Sequence, residues 1–225
     1  MTTGCSFIDN LMGRLETDVI TTMYGPGGCG KTLACILVAK EVAKTGKVLY
    51  IDTEGGFSVE RLKQVSGEHF DQVLNNFIFL KPTSFAEQRR VFDTLKETIT
   101  DDIKLIVVDT IAMLYRLELG RNEEVYETNR ELGRQISVLT ELARTKNIPV
   151  MVTNQVYSNL DNNGSVKMVG GDILVYGSKC LIEISKGHNG KRKAALRKHR
   201  SQKEKEIEFT ITQSGIDSQP LRSEI

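Results

Sequence analysis

Gly25-Pro26-Gly27-Gly28-Cys29-Gly30-Lys31-Thr32 decides the fold of this 225-residue chain. The run fits the spacing G-x-x-x-x-G-K-[ST], in which glycines let the backbone curl until successive N–H groups face phosphate oxygens. In that pattern Lys31 reaches the terminal phosphates and the Thr32 hydroxyl is a ligand for Mg²⁺. Residues 19–24, just ahead, read as a β-strand. Behind the run, Leu33, Ile36, Leu37, Ala39 and Val42 fall at helical spacing in a helix expected over 31–44. The start of that helix brings its positive dipole end to the same spot. A glycine-rich turn that binds nothing would need neither flank, so the stretch predicts a nucleoside triphosphate site.

Working outward, residues 48–51 read as a second strand that ends in Asp52-Thr53-Glu54-Gly55-Gly56. Further strands are expected at 77–80, 105–108 and 149–153, and the second of these is apolar throughout, as expected for a strand buried on both faces. Helices are expected over 4–12, 59–65, 84–99 and 122–146, the last with Val125, Leu132, Ile136, Leu139 and Ala143 on one stripe. Beyond residue 153 the pattern changes to short strands at 181–186, 193–198 and 206–212, joined by Gly-containing turns. This order predicts an α/β fold with a mostly parallel twisted sheet, flanked by helices and extended at one edge by C-terminal antiparallel strands or hairpins. The length suits one domain over 1–225.

Apolar residues make up 40% of the chain, no apolar run is long enough to cross a bilayer, and the N-terminus lacks a secretory layout. Cys5, Cys29, Cys35 and Cys180 have no metal-ligand spacing, so reduced thiols in a cytoplasmic protein are expected, without a membrane partner. Net charge is only +1, yet nine Lys/Arg residues lie between 186 and 205 against Glu204 alone. The other 21 basic and 28 acidic residues leave the remainder at −7. Such a segment suits a polyanion partner, or is simply a solvated basic hairpin.

Four polar residues occupy the same place relative to their strands: Lys31, Glu54, Asp109 and Gln155. Parallel strands bring their carboxyl ends to one edge, where open α/β sheets bind ligands. Asp109 is the residue type that holds the Mg²⁺ shell, Glu54 can orient and deprotonate an attacking water, and Gln155 can donate to a γ-phosphate. Any one of them alone would pass for a turn or capping residue.

Together with Tyr50–Phe57, Glu60-Arg61-Leu62, Tyr115-Arg116, Thr153-Asn154-Gln155-Val156 and Gly170-Gly171-Asp172-Ile173, these motifs resemble, in order and over nearly the whole chain, the ATPase core of the RecA/RadA recombinases, closest to the archaeal paralogues of RadA. The resemblance implies a RecA-type fold, ATP and Mg²⁺ as cofactors, binding of single-stranded or branched DNA, and a part in recombinational repair. Residues 25–32 would cradle the phosphates, Thr32 and Asp109 would hold the metal, and Lys31, Glu54 and Gln155 would be catalytic. Arg61 would stack near the adenine. The DNA-facing loops would fall near 116–124 and 156–169, which makes Arg116, Tyr157 and Lys167 candidate contacts, with Lys191, Arg192, Lys193, Lys198 and Arg200 added by the basic segment. Lys198-His199-Arg200 also resembles in position a basic pair that reaches a neighbour's ATP in bacterial relatives, so DNA, a neighbour's ATP or a plain charged strand all remain open for it.

The core is expected to stand without the family's N-terminal helical domain, and none of the eight phenylalanines has Ala three residues on, so the family's polymerisation tetrapeptide does not occur in this sequence. An accessory protein is therefore expected, with weak DNA-dependent ATP hydrolysis. A RadA-type recombinase, a junction-processing nuclease or further copies of the chain are the implied protein partners. The competing readings are a regulatory ATPase of the KaiC type acting on a protein without DNA, and a passive single-strand binder that uses ATP structurally.

Overall fold

The computed structural model describes residues 3–119, 125–158 and 166–220. α1 (Ser6–Met12) precedes β1 (Ile20–Tyr24), and the glycine-rich run joins β1 to α2 (Lys31–Val42). Next come β2 (Lys47–Asp52), α3 (Val59–Ser66), α4 (Phe70–Asn75), β3 (Phe77–Leu80) and α5 (Phe85–Thr98). β4 (Ile103–Asp109), α6 (Met113–Leu119), α7 (Val125–Lys146) and β5 (Val150–Asn154) complete the central portion. β6 (Val156–Ser158) and β7 (Val166–Met168) form a separate two-stranded ribbon. α8 (Gly171–Gly177) then leads to β8 (Cys180–Lys186), β9 (Arg192–Lys198), β10 (Lys205–Thr212) and β11 (Gly215–Pro220).

The main sheet has nine strands in the order β11-β10-β9-β8-β1-β5-β4-β2-β3. From β8 to β3 every pair is parallel, and from β8 to β11 every pair is antiparallel. This is the mostly parallel sheet with antiparallel C-terminal strands that the sequence predicts. Alternation along the strands divides the core into two layers. Val48, Tyr50, Leu105, Val107 and Met151 pack against α1, α2 and α3 on one face. Leu49, Ile51, Ile106, Val108, Val150 and Val152 pack against α5, α6, α7 and α8 on the other. α2 is apolar around most of its circumference, with every residue from Leu33 to Ala39 buried, because it lies between the sheet and the helices outside it.

Local chemistry accounts for the element ends. Ser58 caps α3 by accepting from the Arg61 N–H, and Ser84 caps α5 by accepting from the Glu87 N–H. α2 stops at Val42 instead of running to 44, because the chain tightens into turns that bond Lys44 N–H to Glu41 O and Thr45 N–H to Val42 O. Segment 156–169, expected as a DNA-facing loop, has paired arms with Tyr157 opposite Lys167. Val156 seats one arm on Tyr24, Met168 and Leu181. The expected helix over 122–146 is described from Val125 onward, and residues 120–124 and 159–165 of the two expected DNA-facing loops lie outside the described residues.

No helix among the described residues is long and apolar enough to cross a membrane. The four cysteines are free and buried. Burial pushes the Cys5 and Cys180 thiols up to about 12. Native protein at pH 8 is therefore expected to resist alkylation by iodoacetamide at all four positions and to take up four labels after denaturation, as read by intact mass.

Candidate nucleotide site

Strand register sets the site. Tyr24 lies opposite Asn154 and Asp52 opposite Asp109, so β1, β5, β4 and β2 finish level with one another at one edge. Each strand hands its next residues to that edge, which brings Lys31, Glu54, Asp109 and Gln155 together from four parts of the chain.

The glycine-rich run leaves β1 under tight constraint. A Cβ on Gly25 would stand 2.0 Å from the Ile184 carbonyl oxygen of β8, so only glycine permits this approach. Lys31 is 7% exposed, and its ammonium donates to the carbonyls of Gly25 at 2.8 Å and Pro26 at 3.0 Å. These carbonyls satisfy the buried cation inside its own loop, from which a phosphate can draw it. Thr32 lies in the first turn of α2, and a Cβ on Gly56 would stand 3.6 Å from its hydroxyl oxygen, so Thr32 faces the turn that carries Glu54.

That turn is held by residues to which sequence reasoning assigns no role. Asp52 accepts from the N–H groups of Gly56 at 3.1 Å and Phe57 at 3.2 Å. Phe57 packs edge-on to Tyr50 and Phe79, with ring centroids 5.0 and 4.7 Å away. Thr53 and Thr110 are tied reciprocally: the Thr53 hydroxyl donates to Thr110 O at 2.6 Å and accepts from Thr110 N–H at 3.0 Å. The peptide between Asp109 and Thr110 is cis.

Glu54 is gripped at one oxygen. Its Oε1 accepts from the Thr110 hydroxyl at 2.9 Å and from the Gln155 amide at 2.8 Å. No described residue donates to Oε2. Asp109 is 2% exposed; the Tyr50 hydroxyl donates to its Oδ2 at 2.9 Å and the Thr153 hydroxyl to its Oδ1. Burial, reinforced by the Asp109 carboxylate, holds the Tyr50 phenol well above its usual range and keeps it a donor. The donor set fits a hydrated divalent cation: a hydroxyl at the helix start and a buried, oriented carboxylate, both oxygen ligands.

The remaining candidates are placed as follows. Arg61 donates to the carbonyls of Thr212 and Gln213 in the β10–β11 turn and to the Gln64 side chain. Its hairpin borders the phosphate loop, since a Cβ on Gly30 would meet Ile211 at 3.1 Å. Arg116 on α6 and Tyr157 and Lys167 on the ribbon are exposed, Tyr157 by 49%. Lys191 pairs with Glu208 at 2.9 Å, Lys193 with Glu206, and Arg192 donates to Gly190 O at 2.8 Å. Arg197 bridges Glu183 and Glu206 at 2.7 and 3.3 Å. Because β9 runs antiparallel to β8, Lys198 and Arg200 sit at the sheet edge opposite the phosphate loop. Lys198 donates to Val175 O at 2.7 Å and Ser178 O at 2.8 Å, near the end of α8, and Arg200 holds Glu16 at 2.9 Å and Asp18 at 3.1 Å.

A glycine-rich loop between a central strand and its helix, a carboxylate ending a neighbouring strand and a glutamate-bearing turn beside it define a core of phosphate-loop architecture. The Rad51 family model matches residues 1–219, and the chain belongs to that family. Among curated proteins it is similar to the DNA repair and recombination protein RadB of Methanobrevibacter smithii, with 42% identity over 220 residues, 94% of this chain and 93% of the relative. The RadB of Methanocaldococcus jannaschii is also 42% identical, over 209 residues that make up 92% of this chain and 96% of the relative. Among solved structures, a crystal structure of the RadB recombinase superposes with a TM-score of 0.81 at 38% identity, covering 96% of this chain and 97% of that one.

Proposed function

We propose that this chain is an ATP-, Mg²⁺- and single-stranded-DNA-binding accessory protein of recombination and DNA repair, with slow ATP hydrolysis. Family membership and the RadB relatives, which are named for DNA repair and recombination, support the biological role. The observation that carries the chemistry is the 2.8 Å bond from the Gln155 amide to Glu54 Oε1. It joins the candidate base to the residue that opens the β6–β7 ribbon.

Thr32 and Asp109 would hold the metal, which when bound neutralises charge on the phosphates as the γ-phosphoryl departs. The N–H groups of residues 27–32 and Lys31 bind the phosphates. Oε2 of Glu54 accepts the proton of an attacking water, while Thr110 and Gln155 fix the carboxylate's orientation through Oε1. Gln155 also has amide hydrogen-bonding capacity for a γ-phosphate. An exchange of partner there moves the start of the ribbon that carries Tyr157 and Lys167, and so links nucleotide state to the candidate DNA surface. Recombination proteins acting on the same DNA are the expected partners.

Filter binding to a single-stranded oligonucleotide across a salt series tests the DNA reading. Affinity is expected to fall with salt at a log–log slope of about −0.7 per phosphate contact. Reversing Lys191 and Lys193 to Glu is expected to weaken DNA binding by about tenfold or more while leaving ATP binding intact. Absence of DNA binding at low salt, with ATP binding retained, would instead support a regulator of the KaiC type. Hydrolysis measured with and without DNA on one preparation distinguishes an active ATPase from a passive binder.

A further inference from the structure

β8 runs parallel to β1, with Tyr24 opposite Glu183, so its carboxyl end reaches the same edge as the phosphate loop. The close approach of Gly25 to the Ile184 carbonyl fixes that junction. Two residues further on, Lys186 ends the strand, and its Nζ lies 3.7 Å from the point where a Cβ on Gly28 would stand. Gly28 is in the middle of the glycine-rich run, so the ammonium sits against the loop that would receive phosphate.

The neighbouring cations are already occupied. Lys31 is taken by the Gly25 and Pro26 carbonyls. Arg192, directly across from Lys186, is bound to Gly190 O, and Lys191 and Lys193 hold Glu208 and Glu206. Lys186 is exposed, and its ammonium makes no hydrogen bond or ion pair with any described residue. The parallel sheet therefore presents a fifth strand-end group at this edge, a cation that no described carboxylate pairs with. A lysine ammonium is a compact charge on a flexible stem and recognises phosphate without a demanding geometry.

Resting on the reading of the loop as a nucleotide site, we propose that Lys186 is a second phosphate-binding lysine. Its ammonium contacts the phosphate chain of a nucleoside triphosphate seated on the glycine-rich loop of the same polypeptide. Because the interaction is with phosphate charge, it strengthens binding of the polyphosphate tail whatever base is attached.

The test is fluorescence titration of the full chain with a labelled ATP analogue and Mg²⁺, with displacement by unlabelled ATP and by inorganic tripolyphosphate. Lys186→Gln is expected to weaken both competitors by about tenfold, whereas Lys186→Arg stays within about threefold of wild type. Melting temperatures without nucleotide should coincide, since the side chain is exposed and unpaired. If wild type binds ATP and Lys186→Gln binds both competitors equally well, the assignment is overturned while the nucleotide site stands. Equal losses in the Gln and Arg variants would also overturn it, because a packing effect would then be responsible. If wild-type protein binds no nucleotide, the reading of the loop itself fails.

Discussion

Glu54→Gln is expected to lower ATP turnover by about 10²–10⁴-fold while ATP affinity changes little. The substitution is nearly isosteric, and the Gln carbonyl can still accept from Thr110 and Gln155, which now meet at Glu54 Oε1. What disappears is the basicity of the second oxygen, the group available to take a proton from water. A filter-binding affinity for ATP alongside a phosphate-release rate separates these effects. Turnover equal to wild type would remove Glu54 from the chemistry. Loss of ATP binding would instead mean that the carboxylate shapes the site.

Gly25→Ala carries the largest expected cost in stability. The added methyl would stand 2.0 Å from the Ile184 carbonyl oxygen, a backbone atom in the centre of the sheet that no rotamer change can move. Either β8 separates from β1 or the loop shifts. Overpacking of this kind costs about 3 kcal/mol, equivalent to roughly 6–12 °C in melting temperature for a chain of this size. Calorimetry checks the stability, and the nucleotide titration on the same variant checks the loop. A melting temperature within a degree of wild type would mean that the β1–β8 junction is not as close as described.

The parts legible in the sequence are those where chemistry fixes both residue type and spacing. Residues 25–32 could be recognised because few other combinations wrap a phosphate, and Asp109 only together with Lys31, Glu54 and Gln155, because each follows a strand at the same place. The groups that orient them were hidden. Tyr50 and Thr153 lie in strands, where an aromatic or β-branched residue reads as a strand former, and only the sheet reveals their hydroxyls on Asp109. Asp52, followed by Glu54-Gly55-Gly56, did carry a readable signal, since an aspartate at a strand end commonly accepts from N–H groups of the turn it begins. The short α4, α6 and α8 have too few residues to show a period, and the polar run of β11 lacks apolar alternation. Lys186 escaped notice as one of nine cations in a run, because only the parallel pairing of β8 with β1 separates it from the rest.

The run of positive charge is also less open than its sequence suggests. Glu183, Glu206 and Glu208 fall just outside it, and antiparallel pairing carries them beside Arg197, Lys193 and Lys191. Any polyanion that reaches these side chains must first displace carboxylates already in place. The face acts as an ion exchanger loaded with its own glutamates, favouring ligands of higher charge density and discounting isolated anions. Lower affinity per contact follows, and with it faster exchange of any polyanion held there.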